Sequence, residues 1–316
     1  MKEHLLQSTA WESYERLENR QTFRLENNKF STLAILERTP LGNYLFVPYG
    51  PTISFSNPLE CQRNFHSALQ ALTKLAQENR VFFIRIEPPF NAMPAKILRK
   101  TFCLQKSHDI DPAHTWVLDL TQPEAKIFAH MEKEKGRLWR NCHKKGISIR
   151  QTKNPDELGI LIHFLSQVGA QNHFIPQKKA HLQNQMRAGF ATLYVAELNG
   201  QPIAAALVYD HDDTRYYAHA AAAYKHRKLA AGSILLVQMI ADAKRAGIQT
   251  FDFWGITTSE DSRHPWYGFT QFKKSFGGEQ VNYAGTWDLP INKSRYLLYR
   301  IVRKLNRWRR KLYHRK

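Results

Sequence analysis

Cysteine is scarce in this chain, and so are the short motifs that much catalytic machinery leaves in a sequence. Of 316 residues only Cys61, Cys103 and Cys142 are cysteine. Odd in number and far apart, they suit reduced cytosolic thiols better than a disulfide framework or a zinc site. No run of about 18 apolar residues occurs, so no helix is expected to span a bilayer. The N-terminus offers neither a long apolar core nor a small-residue cleavage site, so a cytoplasmic protein is expected. Gly-x-Ser-x-Gly, His-Glu-x-x-His, Gly-x-x-x-x-Gly-Lys and Gly-x-Gly-x-x-Gly are all missing, which leaves a serine hydrolase, zincin, ATPase or dinucleotide enzyme without support. His211-Asp212-Asp213 has metal-ligand chemistry, but adjacent turn residues do not easily face one ion, and no metal is expected.

Acid is missing from the C-terminal end. Lys293 to Lys316 holds eleven Lys or Arg and no Asp or Glu. These account for eleven of the formal charge of +19 and leave +8 for the rest. A basic balance in both portions favours a polyanionic partner: nucleic acid, an anionic membrane surface or a phosphorylated substrate. A hydrophobic content of 43% with 12% aromatic residues marks a globular chain long enough for one or two domains.

Periodicity predicts helices near 8–19, 57–79, 124–145, 157–170 and 229–247, the third ended by Gly146. Strands are expected near 30–38, 44–48, 81–86, 114–121, 215–221 and 250–254, and a hairpin joins 190–198 to 202–209 through Asn199-Gly200. The tail from Lys293 reads as a basic amphipathic helix. Its apolar stripe, Leu298, Ile301, Val302, Leu305, Trp308 and Leu312, is expected to dock on the first domain with the charged face outward.

The stretch from Ile248 to Gly278 carries the most information. A strand-like run ends at Gly255, a polar loop follows, and Phe272-Lys273-Lys274-Ser275-Phe276-Gly277-Gly278 sets two cations between phenylalanines and a double glycine. A lysine among aromatic rings acts strongly on whatever docks beside it; a turn with solvated lysines is the other reading. Asp252-Phe253-Trp254-Gly255-Ile256, Gly268 to Gly278, and Tyr283-Ala284-Gly285-Thr286-Trp287-Asp288-Leu289 together resemble, in order, the closing segment of the Fem (FemABX) family of non-ribosomal peptidyl transferases.

The resemblance implies two acetyltransferase-like α/β domains with mixed sheets and a C-terminal basic helix. Boundaries are placed at 1–122, completed by 290–316, and 123–289. It implies an aminoacyltransferase that moves an amino acid from aminoacyl-tRNA to the stem peptide of a UDP-linked or lipid-linked peptidoglycan precursor. Such a protein needs no cofactor and is expected to be a cytoplasmic monomer with peripheral contact to an anionic membrane. Lys273 would be the cation beside the reaction centre, packed by Phe272. Phe82, Arg85, Glu87 and Tyr216 would line the precursor pocket, although Glu87 reads equally well as a strand-end carboxylate paired with Arg85 or a nearby lysine. Where relatives carry an arginine and a tyrosine that contact the precursor, this chain has Gln177 and His181, and Lys178 and Lys179 could replace the lost charge. Glu15 stands where relatives have a lysine, and Ala218 where some have a second pocket tyrosine. Arg137, Arg140, Lys144, Lys145, Arg307, Arg309, Arg310 and Lys311 are candidates for tRNA or another polyanion. Two further readings stay open: a coenzyme A-dependent N-acyltransferase on the same fold, and a non-catalytic RNA- or envelope-binding protein.

Overall fold

A computed structural model describes residues 3–90, 93–172 and 176–313. The chain divides into two units, residues 1–113 with 283–316, and residues 114–282. The strand His114–Asp119 therefore belongs to the second unit and Tyr283 to Pro290 to the first. Both boundaries fall earlier than 122 and 289 because each strand follows its sheet partners: His114–Asp119 pairs with Thr250–Gly255, and Trp287–Pro290 with Phe83–Ile86.

In the first unit the sheet runs in the order Thr22–Glu26, Phe30–Thr39, Gly42–Val47, Phe83–Ile86, Trp287–Pro290, Gln105–Lys106. Gly42–Val47 and Phe83–Ile86 are parallel, and the other neighbours on this path are antiparallel. The helix Pro58–Glu78 covers it. Asn57 caps this helix by accepting from the Glu60 N–H at 3.0 Å, and Pro58 takes the first helical position, where no N–H is needed. Its buried residues Cys61, Phe65, Ala68, Leu69, Leu72, Leu75 and Ala76 repeat at helical spacing and join the sheet in one core.

The helix Lys293–Tyr313 belongs to this unit, but it does not dock by the expected stripe. Tyr296 and Tyr299 pack on Phe83, and Tyr299 also meets Phe82. The Tyr296 hydroxyl donates to Asp288 at 2.9 Å. Leu298, Ile301, Leu305 and Trp308 point to solvent. The sheet here offers aromatic faces and a carboxylate, and tyrosines satisfy both where leucines satisfy only one. The side chain of Leu312 lies outside the described residues.

In the second unit the sheet order is Glu279–Asn282, His114–Asp119, Thr250–Gly255, Thr214–Ala222, Gln201–His211, Ala191–Leu198, Ile147–Thr152. One parallel contact occurs in it, between Thr214–Tyr216 and Thr250–Asp252. The helix Ala231–Arg245, apolar along most of its length, is buried against this sheet. The expected helix 124–145 is instead two helices, Glu124–His130 and Lys133–Arg140, and a 3-10 turn, Cys142–Lys145. Met131 leaves helical geometry to bury its side chain in the core, and the Glu132 N–H donates to the Ser275 carbonyl at 3.0 Å. Core burial outweighs a continuous helical run here.

Candidate active site

The strand Thr250–Gly255 does not end straight. Trp254 sits in the left-handed region, φ 65°, and the register with His114–Asp119 shifts between Asp252 and Gly255. The Asp252 carboxylate holds this bulge: it accepts from the Trp254 N–H at 2.7 Å and from the Thr115 hydroxyl. Past the bulge, the Gly255 carbonyl accepts from the Lys273 ammonium at 2.6 Å.

Lys273 lies near the end of the helix Tyr267–Lys274 and is buried, 8% exposed. It is not a solvated turn lysine. Burial pulls its ammonium down to about 8, with the nearby Asp252 charge opposing that fall. The ring over it is Phe269, 4.8 Å from Nζ, and not Phe272. Residues one turn apart on a helix share a face and adjacent ones do not. Phe272 instead meets Phe276 at 5.1 Å, with the Lys135 ammonium 5.4 Å from each ring. Thr270 ties the preceding loop down by accepting from the Thr257 N–H at 3.1 Å.

The double glycine has a steric origin. Gly277 and Gly278 have φ of 79° and 101°, where side chains are strained. A Cβ on Gly278 would also collide with the Val117 carbonyl, so the chain passes here only as glycine. The Gly277 carbonyl accepts from the Trp116 indole at 2.7 Å. Together these contacts anchor the helix that carries Lys273 to the strand His114–Asp119.

Beside the bulge stands an aromatic group. Tyr216, 4% exposed, meets Trp254 edge-on at 5.5 Å, and Tyr209 lies 6.1 Å from Trp254 and 6.2 Å from His219. The Tyr209 hydroxyl donates to Gln185 at 2.5 Å. Burial pushes the His219 imidazole down to about 4, so it is neutral at physiological pH. Nothing in the sequence distinguishes His219 or Phe269. For Phe269 the i, i+4 spacing to Lys273 is a usable signal once the segment is read as a helix.

In the first unit, the expected pocket residues form structural ties. Phe82, 1% exposed, packs against Phe83 and Tyr299. Arg85 holds Asp288 with two bonds of 2.7 and 2.8 Å and also donates to the Ser107 hydroxyl. It does not pair with Glu87: two residues apart on an extended strand, their bonds run to Asp288 and to the 110–111 turn respectively. One Glu87 oxygen accepts from the Ile110 and Asp111 N–H groups and from the Thr286 hydroxyl at 2.6 Å. Burial raises Glu87, and burial together with the Glu87 charge raises Asp111 well above the carboxylate range. Glu15, buried against Arg20, is pushed up to about 7, chiefly by burial. Phe82 and Arg85 therefore have too little free surface for direct substrate contact.

The remaining candidates are exposed. Gln177, Lys178 and Lys179 stand in solvent at the start of the helix Lys179–Arg187, in the second unit, with Tyr216 and not with Glu87. Arg137, Arg140, Lys144 and Lys145 are all exposed on the helix Lys133–Arg140 and the turn after it, with Arg137 engaged by Glu134 at 2.8 Å. The side chains of Arg307, Arg309, Arg310 and Lys311 lie outside the described residues.

Residues 169–304, which include the bulge, Lys273 and the double glycine, match the model of the FemAB family. A 146-residue stretch is 29% identical to the aminoacyltransferase FemA of Staphylococcus epidermidis, over 43% of this chain and 34% of that protein. The family match covers less than half of the chain, so the likeness to the FemAB family is one of this segment. The stretch the chain shares with its curated FemA relatives spans about a third of their length. A crystal structure of FemX superposes with a TM-score of 0.81 at 15% identity, over 93% of this chain and 94% of that one. The C-terminal domain of a putative lysylphosphatidylglycerol synthetase from Agrobacterium fabrum follows at 0.59, 12% identity, 92% of this chain and 90% of that one. At these identities the likeness is one of fold. It bears out an α/β fold of two units with mixed sheets, and the helix Lys293–Tyr313 is the expected basic C-terminal one. The bulge at Trp254 and the Lys273–Gly255 bond both fall within the stretch matched by the FemAB family.

Proposed function

We propose that this chain is an aminoacyltransferase of the FemAB kind that moves an amino acid from aminoacyl-tRNA to an amine on the stem peptide of a peptidoglycan precursor. The observation that carries this reading is the buried Lys273 ammonium on the Gly255 carbonyl, inside the stretch matched by the family. Likeness to the aminoacyltransferase FemA supports it.

The chemistry asks little of the protein. The aminoacyl ester is already activated, and the acceptor amine is the nucleophile. Its attack on the ester carbonyl forms a tetrahedral oxyanion, which expels the tRNA ribose oxygen while the nitrogen loses a proton. A cation pre-set in a low-dielectric site stabilises that oxyanion without reorganising. Lys273 has this character: one proton bonds the Gly255 carbonyl, and the ammonium has others to give. His219, neutral and low in basicity, is a weak candidate for taking the nitrogen's proton, so that proton goes to solvent or to the substrate itself. The exposed cations Arg137, Arg140, Lys144 and Lys145 suit the tRNA backbone, and Lys178 with Lys179 suit an anionic acceptor group. The protein would act as a cytoplasmic monomer with peripheral contact to the inner membrane surface. Among the described residues no helix is long and apolar enough to cross a membrane.

The deciding experiment incubates purified protein with a mixture of charged tRNAs and with nucleotide-linked or lipid-linked precursors, and reads products by mass spectrometry. A precursor heavier by one amino acid residue supports the reading and names both donor and acceptor. No mass gain with any combination defeats it. One observation favours a coenzyme A-dependent reading: Ala230 holds a left-handed φ of 52° where the helix Ala231–Arg245 begins, the shape of a pyrophosphate-binding turn. Measurable acetyl-CoA affinity with acetylated product would favour that alternative.

A further inference from the structure

The helix Lys293–Tyr313 has two opposite faces. One is docked through Tyr296 and Tyr299 on Phe82 and Phe83. The other carries Leu297, Leu298, Ile301, Leu305 and Trp308, which are 59, 50, 49, 52 and 62% exposed. At about 100° per residue, these five fall within an arc of roughly 100° centred opposite the two tyrosines. Arg300 and Lys304 border the arc on one side and Arg295 on the other. No acidic residue occurs from Lys293 to Lys316. Single exposed leucines need no explanation, but five large apolar side chains in one stripe do.

A second copy of the chain would cover the stripe only by bringing eleven cations against eleven. Nucleic acid would welcome the cations and gain nothing from leucine and isoleucine. An anionic bilayer satisfies both: the acyl boundary takes the stripe, the headgroups take the flanking cations, and a tryptophan suits the interface between them. The structure adds a cleft of about 680 Å³ at the foot of the helix, with Lys106, His108, Arg300, Arg303 and Lys304 in its lining. Leu297 and Ile301 of the same stripe form its apolar lip. Its one carboxylate, Asp288, is engaged by Arg85 and Tyr296.

We propose that this helix lies in the surface of an anionic bilayer with its apolar stripe among the acyl chains, and that the cleft at its foot seats a lipid phosphate. This places the proposed transfer at a membrane without depending on it, since vesicle binding requires neither donor nor acceptor.

The test is co-sedimentation of the full chain with vesicles of phosphatidylglycerol and phosphatidylcholine, compared with phosphatidylcholine alone. The chain should bind the anionic vesicles. Leu298→Ser/Ile301→Ser/Leu305→Ser should weaken that binding at least about tenfold. Its thermal unfolding should not change, because the replaced side chains are exposed. Lys106→Gln/Lys304→Gln should keep binding but reduce the preference for anionic over neutral vesicles. Unaltered binding of the triple variant, or no vesicle binding by the parent chain, overturns the proposal. So does a concentration-dependent dimer that the triple variant abolishes. Saturation of the cleft by inorganic phosphate with no effect on vesicle affinity would make it a free-anion site and remove the headgroup part.

Discussion

The ammonium of Lys273 is held by a carbonyl and a ring, with Asp252 close enough to oppose its loss of charge but bonded elsewhere. That leaves the cation available to a developing oxyanion. Lys273→Ala should lower the transfer rate at saturating substrate by roughly 10²–10³-fold, the usual effect of removing one oxyanion donor, with the fold intact by circular dichroism. Its titration gives a second readout. With its ammonium near 8, the rate should fall as pH rises through about 8. Any activity left in Lys273→Arg should lack that fall, since a guanidinium stays charged. A parent profile that does not decline above pH 8 would argue against a charged Lys273 in the reaction.

Glu15 makes a separate prediction at the same scale. Its carboxyl is raised from 4.5 to about 7 by burial, so the folded state binds a proton that the unfolded chain has released. Stability from this group is therefore present below about pH 4.5 and is lost as pH rises through 7. Glu15→Gln should flatten that loss and raise stability at pH 8 by about 1–3 kcal/mol, less whatever the Arg20 bond contributed. Chemical denaturation at pH 5 and pH 8 measures it; equal effects at both would mean that Glu15 is ionised throughout.

Among elements, the tie between Phe83–Ile86, Trp287–Pro290 and the C-terminal helix rests on one buried carboxylate. Asp288 accepts from Arg85 twice and from Tyr296 once. Asp288→Ala leaves Arg85 charged and unpaired in the core, which costs about 3–5 kcal/mol, and it should loosen the helix as well. Thermal unfolding, with hydrogen exchange over residues 293–306, reports both.

Legibility also varies by element. The helix Pro58–Glu78 is readable because cap, proline and apolar period agree, and the strands flanking Asn199-Gly200 because the turn chemistry is strong. The break at Met131 is not, since it depends on tertiary neighbours: the core that buries the Met131 side chain and the Ser275 carbonyl that takes the Glu132 N–H. The tail's amphipathicity is plain, but which face docks depends on Phe82 and Phe83, distant in sequence. Lys273 is legible through its motif, whereas Phe269 stays hidden behind Phe272 for as long as the segment reads as a turn. Arg85 and Phe82 look like pocket residues, yet the strand Phe83–Ile86 that they sit in or border is buried along its whole length.

At the scale of the whole molecule, a charge of +19 is divided between surfaces of different character. The patch at Arg137, Arg140, Lys144 and Lys145 is exposed cation on short helices, with an ion pair from Arg137 to Glu134. The terminal helix joins cations to exposed leucine, isoleucine and tryptophan. A phosphate backbone is bound by charge alone, and a bilayer by charge and apolar area together. The two surfaces should therefore separate in experiment. Arg140→Gln/Lys144→Gln/Lys145→Gln should weaken tRNA binding and flatten its salt dependence by about 0.7 in the exponent for each phosphate no longer neutralised. It should leave the affinity for anionic vesicles nearly unchanged. Glutamine at Arg307, Arg309, Arg310 and Lys311 should do the opposite. Titrations at several salt concentrations, with tRNA and vesicles in parallel, give the four slopes. If both variants lose tRNA binding equally and neither loses vesicle binding, the terminal cations belong to the nucleic-acid surface and the division by character is wrong.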